Sequence, residues 1–331
     1  MLDVISVGEL LIDFVSTQKG VTLAESPAFE KKPGGAPANV AVGLARLGLR
    51  SAFVGNVGED AFGTFLRDTL AAEGVDVSHL AATAAARTTL AFVSLTRDGT
   101  PDFAFYRNPG ADMLLCEDDI DAAFHRGARA LHFGSISLAD PGPKAATLKA
   151  IEIAKESGQL ISYDPNYRPA LWPSERAARR EILAGFDHAH LAKVSEAEWE
   201  LITGTSDLDV GSRVILKRGV KLLVVSRGAD GCYFNDGTDS QYLPGYKVKV
   251  AETTGAGDGF VAALLSGLLS EVHDPAEVER VHRARTAEIC DFANAVGALT
   301  CTKVGAIPAL PTREEALRFW KQRKEEAGRR E

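Results

Sequence analysis

Short apolar runs recur along this chain with helix-patterned segments between them, and that alternation restricts the fold more than any other feature of the sequence. The runs at 4–7, 52–54, 130–133, 160–163, 189–194 and 222–226 are dominated by Val, Ile, Leu, Ala and Phe. Strands buried on both faces read this way. Between them, 40–47, 62–72, 144–156 and 176–183 have helical composition. Strand and helix in turn predict an α/β fold, a mostly parallel sheet flanked by helices. The last helix is announced by a capping box, Thr312 to Glu315, just after Pro311.

Two stretches, 10–33 and 88–108, lack helical periodicity. The second reads as a hairpin, with strands at 89–95 and 102–107 and a turn at Arg97-Asp98-Gly99-Thr100. Side chains alternate along a strand, so Phe103, Phe105 and Arg107 share one face. That face suits a cover over a small polar ligand, and equally an ordinary half-buried strand. At ~150 residues per domain, 331 residues suggest two domains. No low-complexity linker interrupts the alternation, however. The expectation is one α/β domain over 1–331 with a small β lid from about 10–33 and 88–110. The Ala-rich patch 81–86 reads as a surface loop or frayed helix end, and 246–250 as a further strand.

Charge and cysteine usage exclude several classes. Asp and Glu number 45 against 37 Lys and Arg, a net charge of -8. Nucleic-acid binding rests on cationic contacts to phosphates, so no nucleic-acid partner is expected. The basic run 321–330 is interleaved with Glu325 and Glu326 and reads as a solvated helix end. No apolar stretch reaches ~18 residues, so no membrane partner is expected. Cys116, Cys232, Cys290 and Cys301 form no CxxC and read as reduced, buried thiols. Nothing at the N-terminus resembles a signal peptide, and a cytoplasmic protein is expected.

The sharpest local signal is Thr253-Thr254-Gly255-Ala256-Gly257-Asp258-Gly259-Phe260, ahead of an apolar helix over 260–269. A glycine-rich turn at a helix N-terminus offers unpaired N–H groups and the positive end of the helix dipole to an anion. Asp258 would sit beside those donors, placed to take a proton from a hydroxyl while they hold a transferring phosphoryl. The bland alternative is an acid in the first turn of a helix behind a tight turn. Phe260 stands where GxGxxG needs glycine, and no GxxxxGK[ST] occurs, so dinucleotide and P-loop readings both fail. A second glycine pair, Gly34-Gly35, opens another helix ahead of Asn39, which both donates and accepts as sugar hydroxyls require. Asp13 follows the first strand, near where open α/β sheets bind ligands.

On these residues the chain resembles the ribokinase-like (PfkB) carbohydrate kinases along essentially its whole length. The N-terminal signature matches from Gly34 through Asn39 and Ala41 to Gly48 and Gly58, and the C-terminal one from Thr253 to Leu265. Within the family it is most similar to fructokinases, through Gly8-Glu9-Leu10-Leu11-Ile12-Asp13-Phe14, Phe105-Tyr106-Arg107-Asn108-Pro109-Gly110-Ala111-Asp112 and Tyr163-Asp164-Pro165-Asn166-Tyr167-Arg168. The 2-keto-3-deoxygluconate kinases share much of these stretches.

The resemblance implies an ATP-dependent sugar kinase using Mg²⁺, with K⁺ as an activator. Asp258 would be the base, and the backbone of Gly255, Ala256 and Gly257 the anion hole. Asp13, Gly34, Gly35 and Asn39 would bind sugar, with Phe105 and Arg107 closing over it and Arg168 near its reacting end. Lys193, Ser195, the loop from Ser226 through Gly228 to Gly231, and Asn294 would hold the nucleotide. Glu198 would reach Mg²⁺ through water; Ser195 replaces the Asn of the family's NxxE pattern. Glu252, where Asp is common, would join Thr254 and carbonyls near Thr300, Lys303 and Gly305 at a monovalent cation. Family members also pair through the lid. The competing readings are a 2-keto-3-deoxygluconate kinase, a non-catalytic kinase-like subunit and a dinucleotide-dependent dehydrogenase.

Overall fold

The computed structural model describes residues 1–95 and 101–328. In chain order the strands and helices are β1 (Leu2–Val7), β2 (Leu11–Ser16), β3 (Phe29–Gly34), α1 (Ala36–Arg46), β4 (Ser51–Gly58), α2 (Ala61–Ala72), β5 (Leu80–Thr83), β6 (Leu90–Leu95), β7 (Pro101–Tyr106), α3 (Ala122–Arg126), β8 (Ala128–Gly134), α4 (Pro141–Glu156), β9 (Leu160–Asp164), α5 (Glu175–Phe186), β10 (Leu191–Ser195), α6 (Glu196–Thr203), α7 (Leu208–Leu216), β11 (Leu222–Ser226), β12 (Cys232–Asn235), β13 (Ser240–Leu243), α8 (Ala256–Glu271), α9 (Arg283–Thr300) and α10 (Arg313–Gly328).

Nine strands form one sheet in the order β13-β12-β11-β10-β9-β8-β1-β4-β5. It is parallel from β11 across to β5, and antiparallel only where β12 and β13 extend its edge. Neighbouring residues of one strand serve opposite faces, as the pleat requires. Ile5, Leu131 and Ile161 pack with Ile151 of α4, Ile182 of α5 and Trp199 of α6. Val4, Ala130 and Leu160 pack on the other face with Leu44 of α1, Leu264 of α8 and Ile289 of α9. The parallel register aligns the carboxyl ends of the strands, pairing Gly134 with Asp164 and Ser195 with Ser226. Ligands of open α/β sheets bind along that edge.

The two irregular stretches supply the other sheet, in the order β3-β2-β6-β7. The hairpin is present as β6 and β7, with Ala91 opposite Phe105; its turn at 97–100 lies outside the described residues. Asp13 pairs with Lys32 on one side and Ala91 on the other. Lys32, Asp13, Ala91 and Phe105 therefore form one row across a single face of the small sheet.

Three readings need correction. Residues 246–250 form no strand, because the chain there leaves the sheet edge and runs over towards α8. The patch expected as loop or frayed helix contains β5, whose Ala81 and Ala82 pair with Asn56 and Val57. Of the cysteines, Cys232 and Cys290 are buried, but Cys116 is exposed and Cys301 half-buried.

Candidate active site

Helix α8 begins at Ala256, with Gly255 as its N-cap in the left-handed region at φ 79°. A side chain at 255 would also press on the Ala306 backbone, its Cβ falling 2.8 Å from Cα. Both constraints select glycine there. The Ala256 N–H is already donated to Thr253 O at 3.2 Å. The first-turn N–H groups of Gly257 and Asp258 have no carbonyl four residues back inside the helix, so they form the donor end of this turn. A Cβ on Gly257 would stand 3.0 Å from Lys193 Nζ, so the ammonium lies directly against this end of the helix. Backbone donors, helix dipole and a cation converge at one spot.

Asp258 is buried in that first turn. Its Oδ2 accepts from Asn39 Nδ2 at 2.8 Å and its Oδ1 from Asn166 Nδ2 at 3.3 Å. Burial raises its pKa, opposed by the Asn39 hydrogen bond, the positive charges of Lys193 and Arg168, and the Asn166 hydrogen bond. Asn166 has φ 46°, a conformation asparagine tolerates better than most residues. Asn39 is buried in α1, and its Oδ1 has no partner among the described residues. An unmet acceptor beside a carboxylate is what a ligand hydroxyl would satisfy.

Asp13 is half-buried and faces the same space. Burial raises its carboxyl to about 7; Arg168 opposes this and the negative Glu252 and Asp258 add to it. Gly34 is the residue that leaves it room, since a Cβ there would overlap Asp13 Oδ2. Gly35, at φ 110°, is the N-cap of α1 and abuts Glu9 O. Phe105 shares the Asp13 face of the small sheet, and its ring stacks on Phe103 at 6.1 Å. Arg168 donates to Tyr167 O at 3.1 Å.

Arg107 is more constrained than a free lid cation. Its side chain is buried, with Nε 2.7 Å from Asp112 Oδ2 and Nη1 2.8 Å from Asp140 Oδ2. Its charge is spent on these two carboxylates, which tie the end of β7 to the start of α4. Asp112 in turn accepts a hydrogen bond from Thr89 Oγ1.

Lys193 and Asp164 form a buried ion pair at 3.0 Å. Burial raises Asp164 to about 6, with Lys193 opposing and the negative Glu198 and Asp258 adding. Glu198 Oε1 accepts from Ser195 N at 2.7 Å and Ser195 Oγ at 2.9 Å, and its Oε2 from Tyr167 N at 2.8 Å. Ser195 to Glu198 is thus also a capping box at the start of α6. Further along the edge, Gly228 (φ 57°) and Gly231 (φ 90°) turn the chain after Ser226. A Cβ on Gly231 would meet Leu243 O and lie 2.5 Å from Gly245 N. Asn294, expected to hold the nucleotide, is buried and donates to Pro244 O at 3.3 Å. Gly231 and Asn294 therefore meet the same strip of chain at 243–245, which Ser226 and Gly228 approach through the turn.

Glu252 links two loops, accepting from Thr254 Oγ1 at 2.5 Å and from Gly305 N at 2.8 Å. The Thr300 carbonyl receives Lys303 N at 3.4 Å, while Lys303 Nζ points to Glu315 Oε1 at 3.3 Å. Among the described residues no group of three or more His, Cys, Asp and Glu is arranged to hold a metal by itself.

Sequence reading missed Asn166, Asp164 and Glu9. The signals were present but generic: an Asn after Asp-Pro, where turns favour it, and a carboxylate ending a strand. Glu9 is buried, with Oε1 3.0 Å from Ala36 N and, among the described residues, no partner for Oε2.

A carboxylate held by two amides at an anion-receptive helix end, next to a buried lysine, is the apparatus of phosphoryl transfer to a hydroxyl. Residues 1–313 match the pfkB family carbohydrate kinases, and the chain belongs to that family. It is 49% identical over 317 residues to "Fructokinase-1" of Oryza sativa subsp. japonica, covering 96% of this chain and 97% of that protein. Among solved structures it is similar to fructokinase from Xylella fastidiosa with bound ATP, with TM-score 0.90 and 32% identity over 97% of this chain and 99% of the other. It is also similar to fructokinase from Vibrio cholerae O395 with fructose, ADP and calcium ion bound, with TM-score 0.86 and 35% identity over 97% and 99% of the two chains. These likenesses make the fold ribokinase-like.

Proposed function

We propose that this protein is an ATP-dependent fructokinase that transfers the γ-phosphoryl of ATP to the 6-hydroxyl of D-fructose, giving fructose 6-phosphate. The observation that carries the reading is Asp258, buried and held by Asn39 and Asn166 at the first turn of α8. Asp258 takes the proton of the attacking hydroxyl as the new O–P bond forms and the bond from the γ-phosphorus to the bridging oxygen breaks, releasing ADP. The N–H groups of Gly257 and Asp258, with Lys193, hold the charge of the transferring group. Asn39 Oδ1 and Asp13 bind sugar hydroxyls, and the four-stranded sheet with Phe105 acts as the lid. The turn from Ser226 to Gly231, with Asn294, receives the nucleotide.

Mg²⁺ fits this donor set. The negative Glu198 adds to the cost of ionising its buried neighbour Asp164, and a divalent cation would relieve it. They would hold it through its waters, as Mg²⁺ prefers. When bound, the ion supplies charge neutralisation at the phosphate oxygens. The reading also includes K⁺ at the loops joined by Glu252, a cytoplasmic location, supported by four free cysteines, and a homodimer through the lid. Phe103 and Tyr106 on that sheet are 42% and 67% exposed.

ADP release across fructose, 2-keto-3-deoxygluconate, ribose and adenosine tests the assignment, with fructose expected to give the highest kcat/KM. A higher value with the keto acid would overturn it. The engagement of Arg107 by Asp112 and Asp140 disfavours that rival, because its charge is already met and is not free for a substrate carboxylate. Silence with every sugar would favour a non-catalytic subunit.

A further inference from the structure

A cavity of about 340 Å³ lies at the far end of α8 from Asp258, bounded by α9, α10 and the turn after α1. That volume is in the range of small-molecule sites. Asp3 and Arg129, at the amino ends of β1 and β8, form part of its wall. It is therefore on the opposite edge of the sheet from the catalytic cleft.

One part of its wall is apolar, with Leu47 and Leu49 from the turn, Ile289 and Phe292 from α9, and Leu317 and Trp320 from α10; Ser266, Ser270 and Glu288 line it too. Three arginines line it as well, and two are neutralised. Arg129 Nη1 is 3.6 Å from Asp3 and its Nη2 donates to the Val272 carbonyl at 3.1 Å. Arg285 is 2.8 Å from Glu271 and 2.6 Å from Glu288. Arg313 pairs with no carboxylate among the described residues. Its Nη1 lies 3.9 Å from where a Cβ on Gly48 would be, so no side chain at 48 screens it from the cavity. It is also the first residue of α10, where the helix dipole disfavours a cation. Thr312 and Glu315 already cap that helix end, so an anion at this spot would answer the guanidinium.

We infer that this cavity is a second ligand site, for a small amphipathic anion with an apolar body and one carboxylate or equivalent group. The apolar body lies along Ile289, Phe292 and Leu317, and the anionic head meets Arg313. The inference stands independently of the sugar phosphorylated.

Octanoate is a suitable probe, titrated calorimetrically into the full chain with and without saturating fructose and ADP. Binding with Kd below ~1 mM is expected, unchanged by the substrates. Arg313→Gln, an exposed change, should weaken octanoate about tenfold, the scale of one charge-assisted hydrogen bond. Arg313→Lys should restore most of it, and 1-octanol should bind the wild type and Arg313→Gln alike. No octanoate binding, equal octanoate affinity in wild type and Arg313→Gln, or displacement by fructose and ADP would each overturn the inference.

Discussion

Asn39 donates from Nδ2 to Oδ2 of Asp258 at 2.8 Å, joining α1 to α8 across 219 residues of sequence. This bond favours the ionised carboxylate against the burial that raises its pKa. Removing Asn39 therefore moves the Asp258 pKa further up. In the Asn39→Ala protein the acid limb of the kcat/KM profile should shift to higher pH, and KM for the sugar should rise because the unmet Oδ1 is gone as well. A profile superimposable on wild type would show that the contact does not tune the base. Asp258→Asn should cost at least ~10²-fold in kcat with the fold retained. Near-wild-type turnover would remove Asp258 from the mechanism.

Lys193 holds Asp164 in a buried pair while its Nζ lies against Gly257. Lys193→Met strands a buried carboxylate, a change that typically costs roughly 3 kcal/mol or more. Adding Asp164→Asn should recover most of that stability in urea unfolding. Turnover should stay low in both variants, because the cation facing the transferring group is absent in each. Recovery of activity together with stability would make Lys193 a purely structural residue.

The Glu252 carboxylate draws Thr254 and Gly305 together, so the two loops already have one internal tie. Activity should still rise when K⁺ replaces Na⁺ at equal ionic strength. Equal rates in the two buffers would mean that this tie alone orders the loops.

The layered fold was legible because buried parallel strands and their helices leave strong local patterns, as at 4–7 and 160–163. The strand edge at 81–82 was not, because Ala is a poor strand former and its pairing to Asn56 and Val57 is a tertiary effect. At the site, glycines with a steric reason, such as Gly255, could be found from the chain alone. Partnerships could not. Nothing local marks Arg107 as held by Asp140, 33 residues on, or Asn166 as reaching Asp258. Ser195 shows the converse. As S-x-x-E it carries a plain capping signal, yet the sequence reading takes it as a nucleotide contact and a departure from a metal-related pattern.

Glu9 connects the buried site to stability. It accepts from Ala36 N through Oε1, its Oε2 has no partner among the described residues, and burial raises its pKa to about 7. A carboxyl raised in the folded state binds its proton more tightly there than in the unfolded chain. Its ionisation therefore costs no stability below the unfolded value near 4.5, and the cost grows as pH rises towards 7 and then levels off. The full difference corresponds to roughly 3 kcal/mol. Glu9→Gln keeps an acceptor for Ala36 N and removes the charge. In urea unfolding it should be more stable than wild type at pH 8, by up to that amount. The advantage should shrink steadily on acidification and vanish near pH 4. A difference of the same size at pH 8 and pH 4 would show that the effect comes from packing or from the new amide rather than from the buried ionisation.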